Sequence, residues 1–145
     1  MFAWIKALLL KLGPRGSGVR GEKLAARHLR RQAGYRIVAT NWRSPRDRRD
    51  ELDLVALDGE TLVFVEVKTR AGHALVQGYH AVDERKKRVV ERAARVYLRG
   101  LDQPPRTVRF DIVEVAMPAA GTRDKPVVRH FANVPLFPKQ FRPGA

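Results

Sequence analysis

Two apolar segments, residues 51–57 and 60–69, flank the dipeptide Asp58-Gly59. An Asp-Gly pair between two such segments is a strong signal for a β-hairpin with a tight turn. The second segment is apolar enough to be a central strand, so both of its faces must be covered. The hairpin therefore predicts a sheet with helices packed on its faces.

The second strand of this hairpin carries charged residues inside an apolar segment. Side chains alternate across a strand, so Glu66 and Lys68 share one face, while Val63, Val65 and Val67 share the other. Charged groups are seldom buried unless they are paired or bind a metal. The pair is either the half-exposed end of a strand or part of a site.

The first strand of the hairpin carries Asp53 between Leu52 and Leu54. A turn at Asp58-Gly59 places Asp53 nearly opposite Phe64, so that it meets Glu66 diagonally on one face. Two neighbouring carboxylates repel each other unless a positive charge lies between them. A hard divalent cation, Mg²⁺ or Mn²⁺, fits that requirement.

The rest of the chain predicts further helices and strands around the hairpin. We expect a helix over 18–33 with Gly34 as its C-cap, and a helix from the N-cap Asp83 to about Arg99. We expect strands over 35–39, 108–115 and 127–131, and a polar loop over 41–50. This order indicates an α/β fold, a central mixed β-sheet flanked by helices.

Composition divides the chain into three parts. Residues 1–17 are an apolar segment followed by a Gly-Pro-rich linker, residues 18–132 form the domain, and residues 133–145, with three prolines, are an extended C-terminal tail. Residues 1–12 are too short to span a bilayer and do not resemble a signal peptide. They fit a helix docked on the domain or a partner, a helix at a membrane surface, or a frayed end.

The charge of the chain is strongly positive, with a formal net charge of +14. Residues 1–50 hold 13 basic and 3 acidic side chains. A polyanion gains affinity for such a surface by releasing counterions, so we expect a nucleic acid partner. A protein that is simply basic is the alternative. The expected nucleic-acid-binding residues are Arg43, Arg46, Arg48, Arg49, Arg70, Lys86 and Lys87.

The absence of cysteine excludes disulfides, thiolate catalysis and Cys-based zinc sites. An intracellular, cytoplasmic location is the simplest expectation. The sequence is also compatible with a homodimer.

Two further charged residues fall on apolar helix faces. Glu22 shares a stripe with Ala26 and Leu29, although an acid in the first turn also suits the helix dipole. Lys86 follows the Asp83 cap closely, where the dipole disfavours a cation, and it lies on the stripe of Val89. An inward Lys86 would suit a phosphate or a carboxylate of the site.

These segments together resemble the YraN-type family of the PD-(D/E)XK nuclease superfamily. The resemblance runs in order over about residues 18–115. The matching segments are Gly21-Glu22-Lys-Leu-Ala25, Gly34-Tyr35-Arg-Ile, Asn41-Trp42-Arg43, Glu51-Leu-Asp53-Leu-Val, Val63-Phe-Val-Glu66-Val-Lys68-Thr-Arg70, Ala81-Val82 with Lys86, and Arg109-Phe-Asp111.

The resemblance implies a restriction-endonuclease-like core that presents one acidic cluster, as in archaeal Holliday-junction resolvases. It implies that Asp53 and Glu66 bind the metal and that Lys68 orients the attacking water and stabilises charge on the phosphate. Glu22 would complete the cluster. The chain departs from the family pattern at residues 44–50 and 76–80, in loops expected to border the site.

We therefore expect a divalent-metal-dependent endonuclease that hydrolyses phosphodiester bonds in DNA, including branched or distorted DNA, with little sequence specificity. The alternative is an accessory protein that binds nucleic acid and has an idle or partner-dependent site. Attachment to a membrane surface through residues 1–12 is a third hypothesis.

Overall fold

The computed structural model describes residues 18–71 and 83–144. The chain forms helix α1 (Val19–Arg31), strands β1 (Arg36–Arg43), β2 (Glu51–Asp58) and β3 (Thr61–Ala71), helix α2 (Glu84–Arg99), and strands β4 (Thr107–Met117) and β5 (Val127–Phe131). The sheet order is β1-β2-β3-β4-β5. Only β3 and β4 pair in parallel, so the sheet is mixed, as predicted.

Each helix covers one face of the sheet, and together they enclose a restriction-endonuclease-like α/β core. On one face, Ala25 and Leu29 of α1 pack with Val63 and Val65 of β3. On the other face, the core cluster joins α2 to β3, with Phe64 packed edge-on against Tyr97. The alternation predicted for β3 is confirmed, because its even and odd apolar residues belong to different clusters.

The hairpin is confirmed, but its turn lies one residue later than predicted. Asp58 pairs with Thr61, so the two turn residues are Gly59 and Glu60. Gly59 has φ 59°, and glycine at the first central position supplies the positive φ that such turns need. The register shifts by two residues, which places Asp53 opposite Glu66 rather than Phe64.

Strand β1 is longer than the predicted strand over 35–39. The structure continues it to Arg43, so the polar loop begins at Ser44 and not at residue 41. Two irregularities allow this extension: a register shift between Ile37 and Ala39, and a positive φ of 48° at Asn41. The prediction of a loop from residue 41 was wrong, because an edge strand can carry polar residues and still pair with its neighbour.

The other predicted elements are confirmed with small changes at their ends. The side chain of Asp83 accepts a hydrogen bond of 2.8 Å from the Lys86 N–H, which caps α2 as expected. Helix α1 ends at Arg31 with Gln32 as its C-cap, so the prediction of Gly34 as the C-cap was wrong by two residues. Gly34 instead has φ 72° in the connection to β1. Strands β3 and β4 extend two residues further than predicted at their C-terminal ends.

The C-terminal segment packs on the domain instead of forming an extended arm. Val134 is buried and its N–H donates to the carbonyl oxygen of Phe110 at 2.8 Å. Phe137 and Phe141 stack with ring centroids 4.6 Å apart and pack against the α2 cluster. The three prolines interrupt regular structure in this segment, but its aromatic side chains provide apolar area that the core buries.

A buried polar network joins β4 and β5 to Tyr35, the residue before β1. Asp111 is fully buried and receives hydrogen bonds from Tyr35, Arg109 and the backbone N–H of Asn133, and its carboxylate lies 2.8 Å from His130. A carboxylate with this many partners is compatible with the core.

Residues 1–17 lie outside the described residues, so the proposed linker and the apolar N-terminal segment stay predictions, as do the domain boundaries. Within the described ranges, no helix is long and apolar enough to cross a membrane.

Candidate active site

The candidate site lies where the β2–β3 hairpin stops pairing. Leu54 and Val65 are the last residues paired at this end of the hairpin. The next residues are Asp53 and Glu66, one on each strand. Asp53 Oδ2 accepts a hydrogen bond of 2.8 Å from the backbone N–H of Val67. The Asp53 side chain therefore accepts the hydrogen bond that a backbone carbonyl of β2 would otherwise accept. The two carboxylates lie side by side where the strands separate.

The alternation of side chains in β2 changes at Asp53. Leu54 belongs to the core cluster of α1, whereas Leu52, two residues earlier, belongs to the cluster of α2. The neighbouring strand has its positive φ at Asn41 in the same place. This local irregularity of two strands brings the Asp53 region within reach of groups on both helices.

Glu66 is the most deeply buried of the four predicted site residues, with 3% of its surface exposed. Burial, and then the charge of Asp53, raises the pKa of Glu66 to about 8. Two ammonium groups oppose this shift, because Lys68 Nζ and Lys86 Nζ each lie 3.6 Å from Glu66 Oε1. The inward orientation proposed for Lys86 is confirmed, and its partner is a carboxylate of the site.

Asp53, on the opposite strand, is half-buried. Burial raises its pKa, while the hydrogen bond from Val67 and the charge of Lys86 lower it. The two carboxyl groups therefore disfavour simultaneous ionisation when no cation lies between them. The sequence predicts that Asp53 and Glu66 converge on one face, and repulsion between their carboxylates is the expected consequence of that position.

Glu22 reaches the same region from α1. Its Oε2 accepts a hydrogen bond of 2.7 Å from Asn41 Nδ2. Partial burial raises the pKa of Glu22, the bond from Asn41 lowers it, and the charge of Asp53 raises it further. The structure thus brings together Glu22, Asp53, Glu66 and Lys68, the four residues predicted to form the site.

A close helix–strand approach places Glu22. A Cβ atom added to Gly21 would lie 1.9 Å from Thr69 Oγ1 and 3.1 Å from Thr69 Cβ. Only glycine lets α1 approach β3 this closely. The residue beside Glu22 therefore determines how far the helix stands from the strand that carries Glu66 and Lys68.

The donor set fits a hard divalent cation held by two carboxylates. Among the described residues, no group of three or more His, Cys, Asp or Glu side chains converges closely enough to ligate one ion. Mg²⁺ commonly binds through one or two carboxylates, with waters and substrate phosphate oxygens as its other ligands. Asp53 and Glu66 are the pair that could supply the protein ligands.

The polar loop over 44–50 is an ordered turn docked on α2. Ser44 Oγ accepts a hydrogen bond of 3.2 Å from the Arg46 N–H. Asp50, 2% exposed, accepts two hydrogen bonds of 2.6 Å from Arg92. The loop therefore has a fixed position beside α2, and Arg46 and Arg48 on it are exposed.

Several cations predicted to bind nucleic acid are paired with acids of the protein. Arg43 lies 3.3 Å from Glu51, Arg49 lies 2.8 Å from Asp47, and Lys87 lies 3.6 Å from Glu84. The Arg70 Nε is buried and has no hydrogen-bond partner in the part of the chain that the structure describes. The sequence showed which residues are basic, but it could not show which of them already have acidic partners.

Sequence reasoning missed two residues of this region. The Asn41 side chain donates a hydrogen bond to Glu22. Its indication in the sequence was its residue type, because asparagine adopts positive φ more readily than most residues, and Asn41 has positive φ. Glu114 of β4 lies in register with Lys68, is 1% exposed, and neither carboxylate oxygen has a hydrogen-bond partner within the described ranges. Its signal was an acid between valines in a strand, the same signal that identified Asp53.

Comparison with known proteins gives a match over most of the described chain. The model of Uncharacterised protein family UPF0102 matches residues 21–115. A UPF0102 protein of Chlorobaculum tepidum is 47% identical over 102 residues, which cover 70% of this chain and 76% of that protein. A UPF0102 protein of Nocardia farcinica is 43% identical over 128 residues, 88% of this chain and 95% of that protein. A third, of Porphyromonas gingivalis, is 45% identical over 107 residues, 72% and 74% of the two chains.

Proposed function

Since the chain belongs to Uncharacterised protein family UPF0102, whose name states no activity, we propose its function from its own site: divalent-metal-dependent hydrolysis of phosphodiester bonds in DNA. One observation carries the proposal. Asp53 and Glu66 face each other at the open end of the hairpin, with two lysines 3.6 Å from Glu66. A buried and a half-buried carboxylate that repel each other, beside ammonium groups that can bind a phosphate, suit this reaction.

Asp53 and Glu66 are the proposed ligands of Mg²⁺ or Mn²⁺. A bound divalent cation supplies a water of lowered pKa and neutralises charge that develops on the phosphate. The hydrogen bond from Val67 fixes the orientation of the Asp53 carboxylate, and burial keeps bulk water away from Glu66.

Lys68 is the proposed partner of the attacking water and the scissile phosphate. Its ammonium is partly exposed and lies 3.6 Å from Glu66, so it can face both the carboxylate and a bound substrate. Lys86 approaches Glu66 from α2 at the same distance. Glu22 and Asn41 complete the polar rim on the side of α1. The exposed Arg46 and Arg48 would contact the DNA backbone without reading its sequence.

The test is cleavage of supercoiled, single-stranded and four-way-junction DNA with Mg²⁺ or Mn²⁺. The wild-type chain should cleave at least one of these substrates, and Asp53→Asn and Glu66→Gln should each reduce the rate by at least 100-fold. Calorimetric titration with Mn²⁺ provides a readout besides activity, because both variants should also lose affinity for the ion. Arg123→Gln, on an exposed residue outside the site, is the control. Cleavage that survives both carboxylate substitutions would disprove the proposed site.

A second function is a nucleic-acid-binding accessory protein with an idle site. The specific observation behind it is that no third carboxylate of the described residues joins Asp53 and Glu66 closely enough to ligate one ion. Binding of DNA that weakens steeply with salt, together with no cleavage under either metal, would favour this function.

A further inference from the structure

The outer face of α1 carries a continuous row of unpaired cations: Arg20, Lys23, Arg27, Arg30 and Arg31. At 100° per residue the five side chains fall within an arc of about 100° on the side away from the sheet. All five are exposed, and none forms an ion pair within residues 18–71 and 83–144. We call this row the α1 track.

Helix α2 carries seven basic residues and α1 five, but the two helices differ in where their acids point. The acids of α2 neutralise neighbouring cations, with Glu84 paired to Lys87 and Glu91 paired to Arg95. Arg92 is bound by Asp50 of the docked loop. The only acid in the first turn of α1 is Glu22, which points toward the site and not toward the track. The described residues therefore leave the track without compensation.

An uncompensated row of this kind is unfavourable for the helix itself. Like charges three or four residues apart repel each other on a helix surface. Arg27 takes part in three such pairs, with Lys23, Arg30 and Arg31, and Arg20 repels Lys23. The row thus opposes helix stability, and an external polyanion would supply the missing negative charge.

We propose that the α1 track is a phosphate-binding surface for the backbone of double-stranded nucleic acid. The track spans about 16 Å from Arg20 to Arg31, at 1.5 Å per residue. That length of duplex axis carries about ten phosphate charges. Arg20 and Lys23 flank Glu22 in the first turns, so one end of the track adjoins the candidate site. The track therefore binds the duplex along α1, beside the candidate site and not within it.

A membrane surface is the other large polyanion, and the structure favours nucleic acid over it. Helices that lie in a membrane interface carry large apolar side chains next to the cations. In the described part of the chain, Val127 of β5 is the only exposed large hydrophobic residue, and it is not on α1. The track is therefore purely polar, as in surfaces that bind phosphate backbones.

The experiment measures binding of the full chain to a fluorescein-labelled 25-base-pair duplex by anisotropy, in EDTA, over a series of NaCl concentrations. The track variant combines Arg20→Gln, Lys23→Gln and Arg27→Gln. The matched control combines Arg99→Gln, Arg106→Gln and Lys139→Gln, which removes the same charge from exposed positions elsewhere. Each lost phosphate contact lowers the slope of log K against log salt by about 0.9.

The track variant should bind the duplex at least tenfold more weakly, with a salt slope smaller by about 2.7, or 0.9 for each of the three cations, whereas the control should change less than threefold. The single variant Arg27→Gln should weaken binding without lowering the melting temperature, because it also removes three repulsive pairs. A merely structural role for Arg27 would lower both. Equal effects of the two triple variants would overturn the proposal, since net charge alone would then explain binding.

The choice of duplex nucleic acid as the partner rests on the proposed function. Different outcomes would disprove the proposed hydrolysis and the proposed track. A chain that binds duplex through the track but cleaves nothing disproves only the hydrolysis. Cleavage lost in Asp53→Asn with binding unaffected by the track variant disproves only the track. Sedimentation with vesicles of 30% phosphatidylserine is the membrane arm. Vesicle binding that disappears in the track variant, with duplex binding unchanged, would overturn the proposal in favour of a membrane.

Discussion

Asp53 is joined to the backbone of the opposite strand by the hydrogen bond that its carboxylate accepts from Val67, at 2.8 Å. This bond stands one residue beyond Glu66, at the point where the hairpin ladder ends. It orients one carboxylate of the site through the chain segment that carries the other. The geometry of the pair is therefore set by the hairpin itself and does not depend on a bound ligand.

The ionisation of Glu66 should make the metal-free protein less stable at alkaline pH. Burial and the charge of Asp53 raise its pKa from 4.5 to about 8. Between these values the folded state keeps a proton that the unfolded state has lost. The free energy of unfolding therefore falls as pH rises through this window, by roughly 1.4 kcal/mol per unit of pKa difference. In EDTA, urea unfolding of Glu66→Gln between pH 5 and 9 should show a smaller decline. Parallel profiles of variant and wild type would contradict this.

The close contact between Gly21 and Thr69 should make Gly21→Ala destabilising, although alanine is the better helix former. The new Cβ would meet Thr69 Oγ1 at 1.9 Å, and overpacking of this kind costs about 1–3 kcal/mol. Urea unfolding should show this loss, and Thr69→Ala in the same chain should restore most of it. Gly18→Ala is the control, since its Cβ would have only an ordinary contact, at 3.5 Å. Equal effects at Gly18 and Gly21 would disprove the close approach.

The Asp111 network should stabilise the fold above pH 4 and lose its contribution in acid. Burial raises the pKa of Asp111, but hydrogen bonds from His130, Arg109 and the Asn133 N–H outweigh it, and the pKa is lowered. Such stability is present above the unfolded pKa and disappears as pH falls through the folded pKa. Asp111→Asn should cost about 3 kcal/mol at pH 7, because it removes the buried carboxylate that pairs with Arg109 and leaves that guanidinium only Asp58, 3.0 Å away.

The difference between Asp111→Asn and wild type should shrink as pH is lowered toward 3 in a urea-unfolding series. Asp47→Asn, in a surface pair with Arg49, is the control and should have little effect. A pH-independent difference would show that the substitution at Asp111 perturbs packing and not charge.

Removal of an aromatic ring from the C-terminal segment should destabilise the domain. Phe137 stacks on Phe141 and packs against Phe64 with ring centroids 6.0 Å apart. Phe137→Ala should cost about 2–4 kcal/mol, somewhat less than a fully buried phenylalanine. Thermal unfolding compared with Lys139→Ala, an exposed neighbour, tests this. An extended arm free of the domain would give no difference between the two variants.

Local sequence patterns were sufficient to predict the hairpin, both helices and the face that Glu66 and Lys68 share. These features depend on local rules: the period of two in a strand, the Asp83 cap, and the turn signal around Gly59. The turn lies one residue later than predicted, so the register between β2 and β3 differs from the predicted one by two residues. Because two is an even number, Asp53 stays on the same face of the sheet as Glu66. The four predicted site residues therefore meet although the register differs.

Which charged residues have partners became clear only from the packing of the fold. Arg43, Arg49 and Lys87 lie beside acids, whereas the basic residues on the outer face of α1 do not. The buried position of Glu114, the support of Glu22 by Asn41 and the packing of Phe137 likewise became visible only in the fold. Ion pairs and burial depend on distances between segments far apart in sequence, which no local pattern encodes. Local patterns thus specify the faces of the elements, and packing determines which charges on those faces are left for a ligand.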